Sequence, residues 1–185
     1  MSNEATAAAA AVSTWDIDPA HTHAQFKVRH MMISNVKGEF TKITGSVKLD
    51  SADITRSSVD VAIDVNSLNT RDAQRDGHLK SPDFFDAANY PSITFKSTKI
   101  ARTEDGIELT GDVTIRGVTR PVTFVVDGPT PETKDPWGNT RVGVEATTTI
   151  DRKDFGLTWN AALETGGVLV GDKVAITVDA ELVKK

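Results

Sequence analysis

Four groups of residues in this chain have the types and spacing to do chemistry. His21 and His23 stand two apart, which on a strand puts two imidazoles on one face. Such a pair ligates zinc or another divalent ion only if a third ligand joins it. No Asp or Glu stands at a telling spacing, so the plainer reading is a polar outer face with His21 in a turn. His30 keeps step with Phe26 and Val28 and therefore faces inward. It is either a core histidine satisfied by a backbone carbonyl or a hydrogen-bond donor at the mouth of a cavity. Arg75-Asp76-x-His78 holds acid–base residue types, but nothing beside it supplies a nucleophile and no glycine-rich phosphate cradle is present. An ion pair that pins a lid is its expected role, with contact to a polar ligand headgroup as the alternative. Asp154-Phe155-Gly156 spells the metal-binding tripeptide of protein kinases without the glycine-rich or catalytic loops that accompany it. Phe155, Trp159 and Leu163 are instead expected to cover one end of a barrel.

Composition narrows the setting. A chain of 185 residues suits one domain with a real core, and 38% hydrophobic with 25% charged residues is the balance of a soluble globular protein. A net charge of -5 argues against nucleic acid or an anionic membrane surface as the main partner, although a local basic patch is compatible with it. The absence of cysteine removes disulfides, thiolate catalysis and cysteine metal sites. Residues 1–12 carry an alanine run, but Glu4 precedes it and no Lys or Arg forms a positive leader region, so a disordered tail is expected. No apolar run approaches the ~20 residues of a membrane span. A cytoplasmic protein with residues 13–185 as its domain follows.

The elements that must position these groups read as strands. Ala24, Phe26, Val28 and His30 alternate with Gln25, Lys27 and Arg29, the period of a half-buried strand. Met31, Met32 and Ile33 make a compact apolar turn. Val36, Gly38 and Phe40 share a face, and then the apolar set changes parity to Ile43, Gly45, Val47 and Leu49. That shift predicts a β-bulge near Thr41 and Lys42. Val59, Val61, Ile63 and Val65 follow. Asp105-Gly106 and Arg116-Gly117 mark tight turns. Val142 to Ile150 and Lys173 to Val183 complete roughly eight strands, each with one apolar face.

Residues 69–91 break this pattern. Asp72 to Leu79 fits two helical turns, and Ser81-Pro82 opens a second short helix that carries Phe84 and Phe85. The segment reads as a lid over one end of an antiparallel barrel, closed to remove its edges. An eight-stranded barrel is filled by side chains or holds one small ligand. Gly38, Gly45, Gly111 and Ala146 on the inward faces point to the second case. In the first, Phe26, Phe40, Phe95 and Phe124 take up the space.

Several long motifs resemble the YceI family of lipocalin-like, polyisoprenoid-binding proteins. They are WDIDPAHTHAQFKVRHMMISNVKGEF, SLNTRDAQRDGHLKSPDFFDAANYPSITF, GDVTIRGVTRPVTF and DRKDFG. DPWGNTR and WNAALETGGVLVGDKV resemble its intracellular branch. The resemblance covers roughly residues 14–183. It implies an extended eight-stranded antiparallel lipocalin-like barrel with a short helical lid, a homodimer, and no catalysis or cofactor. The implied ligand is a long-chain amphiphile, such as an isoprenoid quinone precursor or a fatty acid amide. The residues expected near that ligand are Phe26, Val28, His30, Phe40, Val61, Ile63, Arg75, His78, Leu79, Phe84, Phe85, Phe95, Ile115 and Trp159. The competing readings are a stress-related interaction module with a filled core and, with less behind it, an enzyme using His30 or His78 as a base.

Overall fold

The structure, a computed structural model, describes residues 12–185. The tail expected over residues 1–12 lies outside the described residues except for Val12, which already belongs to the first strand. Strands run over Val12–Ile17 (β1), His23–His30 (β2), Ser34–Phe40 (β3), Ile43–Asp50 (β4), Ser58–Asp64 (β5) and Leu68–Asn69 (β6). The helix Ala73–Lys80 (α1) follows. Then come Ser92–Thr103 (β7), Gly106–Ile115 (β8), Val118–Asp127 (β9), Thr133–Lys134 (β10), Thr140–Asp151 (β11) and Val170–Lys184 (β12).

Pairing runs β11-β9-β8-β7-β5-β4-β1-β12, and β11 also pairs with β12, so these eight strands form a closed antiparallel barrel. The ring closes along the ladder from Arg141↔Val183 to Asp151↔Lys173. The far edge of β12 is divided. Its last residues pair with β1, and Val170 to Asp179 pair with β2. β1 and β2 thus act as one long strand broken at Asp18 to Thr22, where Pro19 removes an amide donor and a 3-10 turn intervenes. Facing them, β4 lies on β1 and β3 on β2.

The parity change between Phe40 and Ile43 is absorbed by a break in the strand rather than by a bulge inside one ladder. The Thr41 amide donates to the Ser67 carbonyl at 3.3 Å and the Lys42 amide to Ser67 Oγ at 3.0 Å. These bonds let Phe40 and Ile43 both turn inward and bury. The second helix expected at Ser81-Pro82 does not form. Ser81 caps the C-terminus of α1 instead, and the following amides return to that helix: Phe85 donates to the Leu79 carbonyl and Ala87 to the Lys80 carbonyl, each at 2.9 Å. Asp86, at φ 49, makes the turn that permits this.

Fully buried side chains gather at the two ends. Trp15, Ile17, Ala24, Ile43, Val47, Val142 and Leu182 form one cluster. Phe40, Val65, Leu68, Phe84, Ile93, Val113, Ile115, Phe155 and Leu157 form most of the other, under α1 and its return segment. Trp15 is 0% exposed, its Nε1 donates to Ser13 Oγ at 2.8 Å, and Lys184 Nζ lies 5.4 Å from its ring centre. Trp15→Ala is therefore expected to cost about 3–5 kcal/mol, read as a lowered midpoint of chemical denaturation with the barrel's circular dichroism retained below it.

Candidate ligand-binding cavity

Between the two clusters the inward residues are not fully buried. Val61, Ile63, Phe95, Phe124, Ile176 and Val178 face the barrel axis yet remain half-buried, because the space they face is hollow. The cavity has a volume of about 310 Å³. That lies at the lower end of the roughly 300–1,000 Å³ usual for small-molecule sites. Its wall is almost wholly aliphatic and aromatic, and Arg152 is its single charged side chain among the described residues.

Ten of the fourteen expected residues line this space: Phe26, Val28, Phe40, Val61, Ile63, Leu79, Phe84, Phe85, Phe95 and Ile115. The other four stand outside it. His30 keeps the inward parity of Val28 but sits at the strand end opposite Val170, half-buried, its imidazole without a hydrogen bond among the described residues. Trp159 and His78 build the outer layer of an aromatic plug. Their rings meet edge to face at 4.7 Å, and each also packs on Phe84, which is 5% exposed. His78 Nε2 is 2.9 Å from the Asp83 carboxylate on the surface.

Arg75 pins α1, but not through the ion pair expected. Its Nε donates to Thr70 Oγ1 at 2.8 Å and its Nη2 to the Thr70 carbonyl at 2.7 Å. Asp76 accepts from the Thr70 amide at 2.9 Å and from its hydroxyl. Thr70 is buried, so the two charged residues satisfy its backbone and side chain together. Arg116 adds a second latch, from Nη1 to the Phe84 carbonyl at 3.1 Å.

The glycine argument for an open interior is overturned. Gly38 is covered by the Phe26 ring, whose atoms would lie 2.4 Å from an added Cβ, and Gly111 is covered by Phe95 at 2.5 Å. Cross-strand rings fold onto these glycines, so the missing side chains leave no void there. The cavity lies among the β-branched residues and Ala146 instead.

Arg152 was not singled out from the sequence. It continues the inward parity of β11 past Ile150, and that parity was the available signal. The residue is 4% exposed. Its guanidinium donates to the carbonyls of Gly171 (2.8 Å), Leu157 (2.7 Å) and Trp159 (2.9 Å). Burial lowers its pKa, opposed by Asp172 and Asp151. Gly156, at φ 78, turns the chain so that residues 157–159 present those carbonyls. Arg152 thus fastens the plug to the start of β12.

His21 and His23 do not share a site. His21 Nδ1 lies 2.8 Å from Asp18, and His23 lies 3.9 Å from Glu39. Asp18, His21 and Glu181 do approach one another, a grouping the sequence did not suggest. However, Arg141 Nη1 bridges Asp18 and Glu181 at 2.7 Å each, and its Nε reaches Asp135 at 2.7 Å. The positive charge a metal would bring is already there.

Two predictions follow from these contacts. Arg152→Met leaves the buried Leu157 carbonyl and the half-buried Gly171 and Trp159 carbonyls without this donor, and the buried one alone costs about 1–3 kcal/mol; limited proteolysis should then cut within residues 156–170 before it cuts the strands. His21 and Arg141 hold the Asp18 carboxyl down to about 2. Asp18 is ionised in the fold below its ordinary pKa, so its contribution is complete above about pH 4 and disappears as pH falls through about 2. The Asp18 hydrogen bond raises the His21 pKa, so that contribution is full below its ordinary value of 6.5 and lost as pH rises through the raised one. Thermal melts of wild type and Asp18→Asn across pH 2 to 8 should converge at the acid end and separate above about pH 4.

Comparison with known proteins agrees with this geometry. The YceI-like domain matches residues 15–182. A UPF0312 protein of Vibrio cholerae is 41% identical over 156 residues, covering 82% of this chain and 80% of its own. BcnA of Burkholderia cenocepacia superposes with a TM-score of 0.75 at 26% identity, over 89% of this chain and 98% of its own. A polyisoprenoid-binding domain from Saccharophagus degradans has the same fold, with a TM-score of 0.67 at 17% identity over 92% of this chain and 98% of its own. The chain belongs to the YceI family.

Proposed function

We propose that this protein binds one long-chain amphiphilic lipid, of the polyisoprenoid or fatty acid amide type, with its apolar chain inside the barrel. The observation behind this reading is the half-buried state of inward Val61, Ile63, Phe95, Phe124, Ile176 and Val178 around a space of about 310 Å³. Apolar walls facing an apolar void favour an apolar occupant. Each buried methylene contributes ~0.8 kcal/mol, so a chain of about ten offers ~8 kcal/mol against the cost of association. Among the described residues the wall holds no acid, base and nucleophile in register, which favours carriage over catalysis. That a neighbour of the same fold is a polyisoprenoid-binding domain supports the ligand class. The filled-core alternative finds less support, because two of the four phenylalanines that would fill the interior, Phe26 and Phe95, lie over Gly38 and Gly111 instead.

The test uses Ala146, which lines the cavity opposite Val178 and Val126. Ala146→Phe should fold and should weaken uptake of a polyprenyl or acyl fluorescent probe by tenfold or more, roughly the loss of two buried methylenes. If the interior is already filled, the added ring costs about 1–3 kcal/mol of stability. Unchanged probe affinity alongside that loss of stability would overturn the proposal.

A further inference from the structure

The hairpin between β2 and β3 has three locally unfavourable features in one place. His30 to Ile33 form a tight turn, closed by the Ile33 amide donating to the His30 carbonyl at 3.1 Å. Its two central residues have φ 51 and 62, the left-handed conformation that turns of this type normally give to Asn and Gly. Here both are methionines. Met31, Met32 and Ile33 are 42%, 58% and 75% exposed, so apolar side chains crown the tip. Behind the tip, Lys27 and Lys37 stand directly opposite each other on the outer face, a like-charge pair that disfavours the hairpin. Neither they nor exposed Arg29 makes an ion pair among the described residues, and Arg29 instead donates to the Met32 carbonyl at 3.0 Å.

A hairpin selected for stability alone would carry none of these features. Together they make an apolar crown on a cationic collar, the arrangement that fits the headgroup and upper acyl region of an anionic bilayer. The tip is seated firmly enough to insert as a unit. The Met31 amide donates to the Leu169 carbonyl at 2.8 Å, and the Met32 sulfur lies over Gly167. Exposed Val168 extends the apolar surface, while the adjoining loop adds one carboxylate, Glu164. The cavity wall reaches Val28 on β2 and Val170 at the start of β12, which pairs with β2. Trp137, 81% exposed near the opposite end, has Arg141 beside it, which three carboxylates hold.

We propose that the Met31-Met32-Ile33 tip docks the protein on an anionic lipid bilayer, from which the cavity is loaded. This rests on the lipid-carrier reading. Vesicle flotation on phosphatidylcholine, with and without phosphatidylglycerol, tests it with wild type and the double variant M31N/M32G. That variant relieves the turn's strain, so its melting temperature should be equal or higher. It should nevertheless float about tenfold less with the anionic vesicles. Lys27→Glu/Lys37→Glu should lose binding to anionic vesicles at low salt, and high salt should weaken wild type in the same way. M31N/M32G should still take up a polyprenyl probe added from solvent. Loss of that uptake in wild type, with flotation intact, would strike the carrier reading and leave the docking standing. Two results would overturn the proposal: no flotation of wild type on anionic vesicles at low salt, or equal flotation of M31N/M32G. A wild-type dimer in sedimentation equilibrium that M31N/M32G converts to monomer, without vesicle binding, would assign the tip to a second copy of this chain.

Discussion

Everything in this molecule depends on β12 finding partners along both edges. One edge lies on β11 from Lys173 to Val183, and the other is shared between β1 and β2. Without that double pairing the sheet is an open ribbon with two edges, and its apolar face has nothing to enclose. With it, residues on a single face of each strand converge on one axis. Eight strands set a diameter at which short and β-branched side chains do not meet across the centre. The hollow is therefore a consequence of strand number and side-chain size together.

The ends are closed by different means. Trp15 and its neighbours seal one cluster with buried side chains carried on the strands themselves. At the other end, α1 and residues 81–91 lack alternation and are fixed by polar latches: Arg75 and Asp76 on Thr70, Arg116 on the Phe84 carbonyl, and Arg152 on the carbonyls behind Trp159. Each latch satisfies buried backbone with a charged side chain, so the plug is held by a few separable contacts rather than by a continuous ladder. Such contacts open locally at lower cost than the sheet does. The β2–β3 tip stands beyond the same stretch of wall, past Val28 and Val170.

The strands were legible because alternation is a local property of the chain. The predicted inward set of β2, Ala24 to His30, matches the observed burial. The lid was legible as a gap in the alternation, and its first helix as Asp72 followed by helix formers. Its second helix was not, since Ser81-Pro82 suits a helix start and the competing amide bonds to Leu79 and Lys80 depend on a return path the sequence does not display. Non-local facts failed in the same way. Gly38 reads as space until Phe26 is known to lie across from it. Asp18 and Arg141 are 123 positions apart, so their bridge had no local signature. Arg152 stands in the DRKDFG motif, where only its parity with Ile150 marks it as inward.

The central claim is that the barrel holds a lipid chain, and the mass of the intact protein tests it most directly. Native mass spectrometry before and after denaturing solvent extraction should show a discrete extra mass that leaves with the solvent and is identified as a long-chain lipid. A bare mass in repeated preparations, with no uptake of added polyprenyl or acyl lipids, would contradict the account.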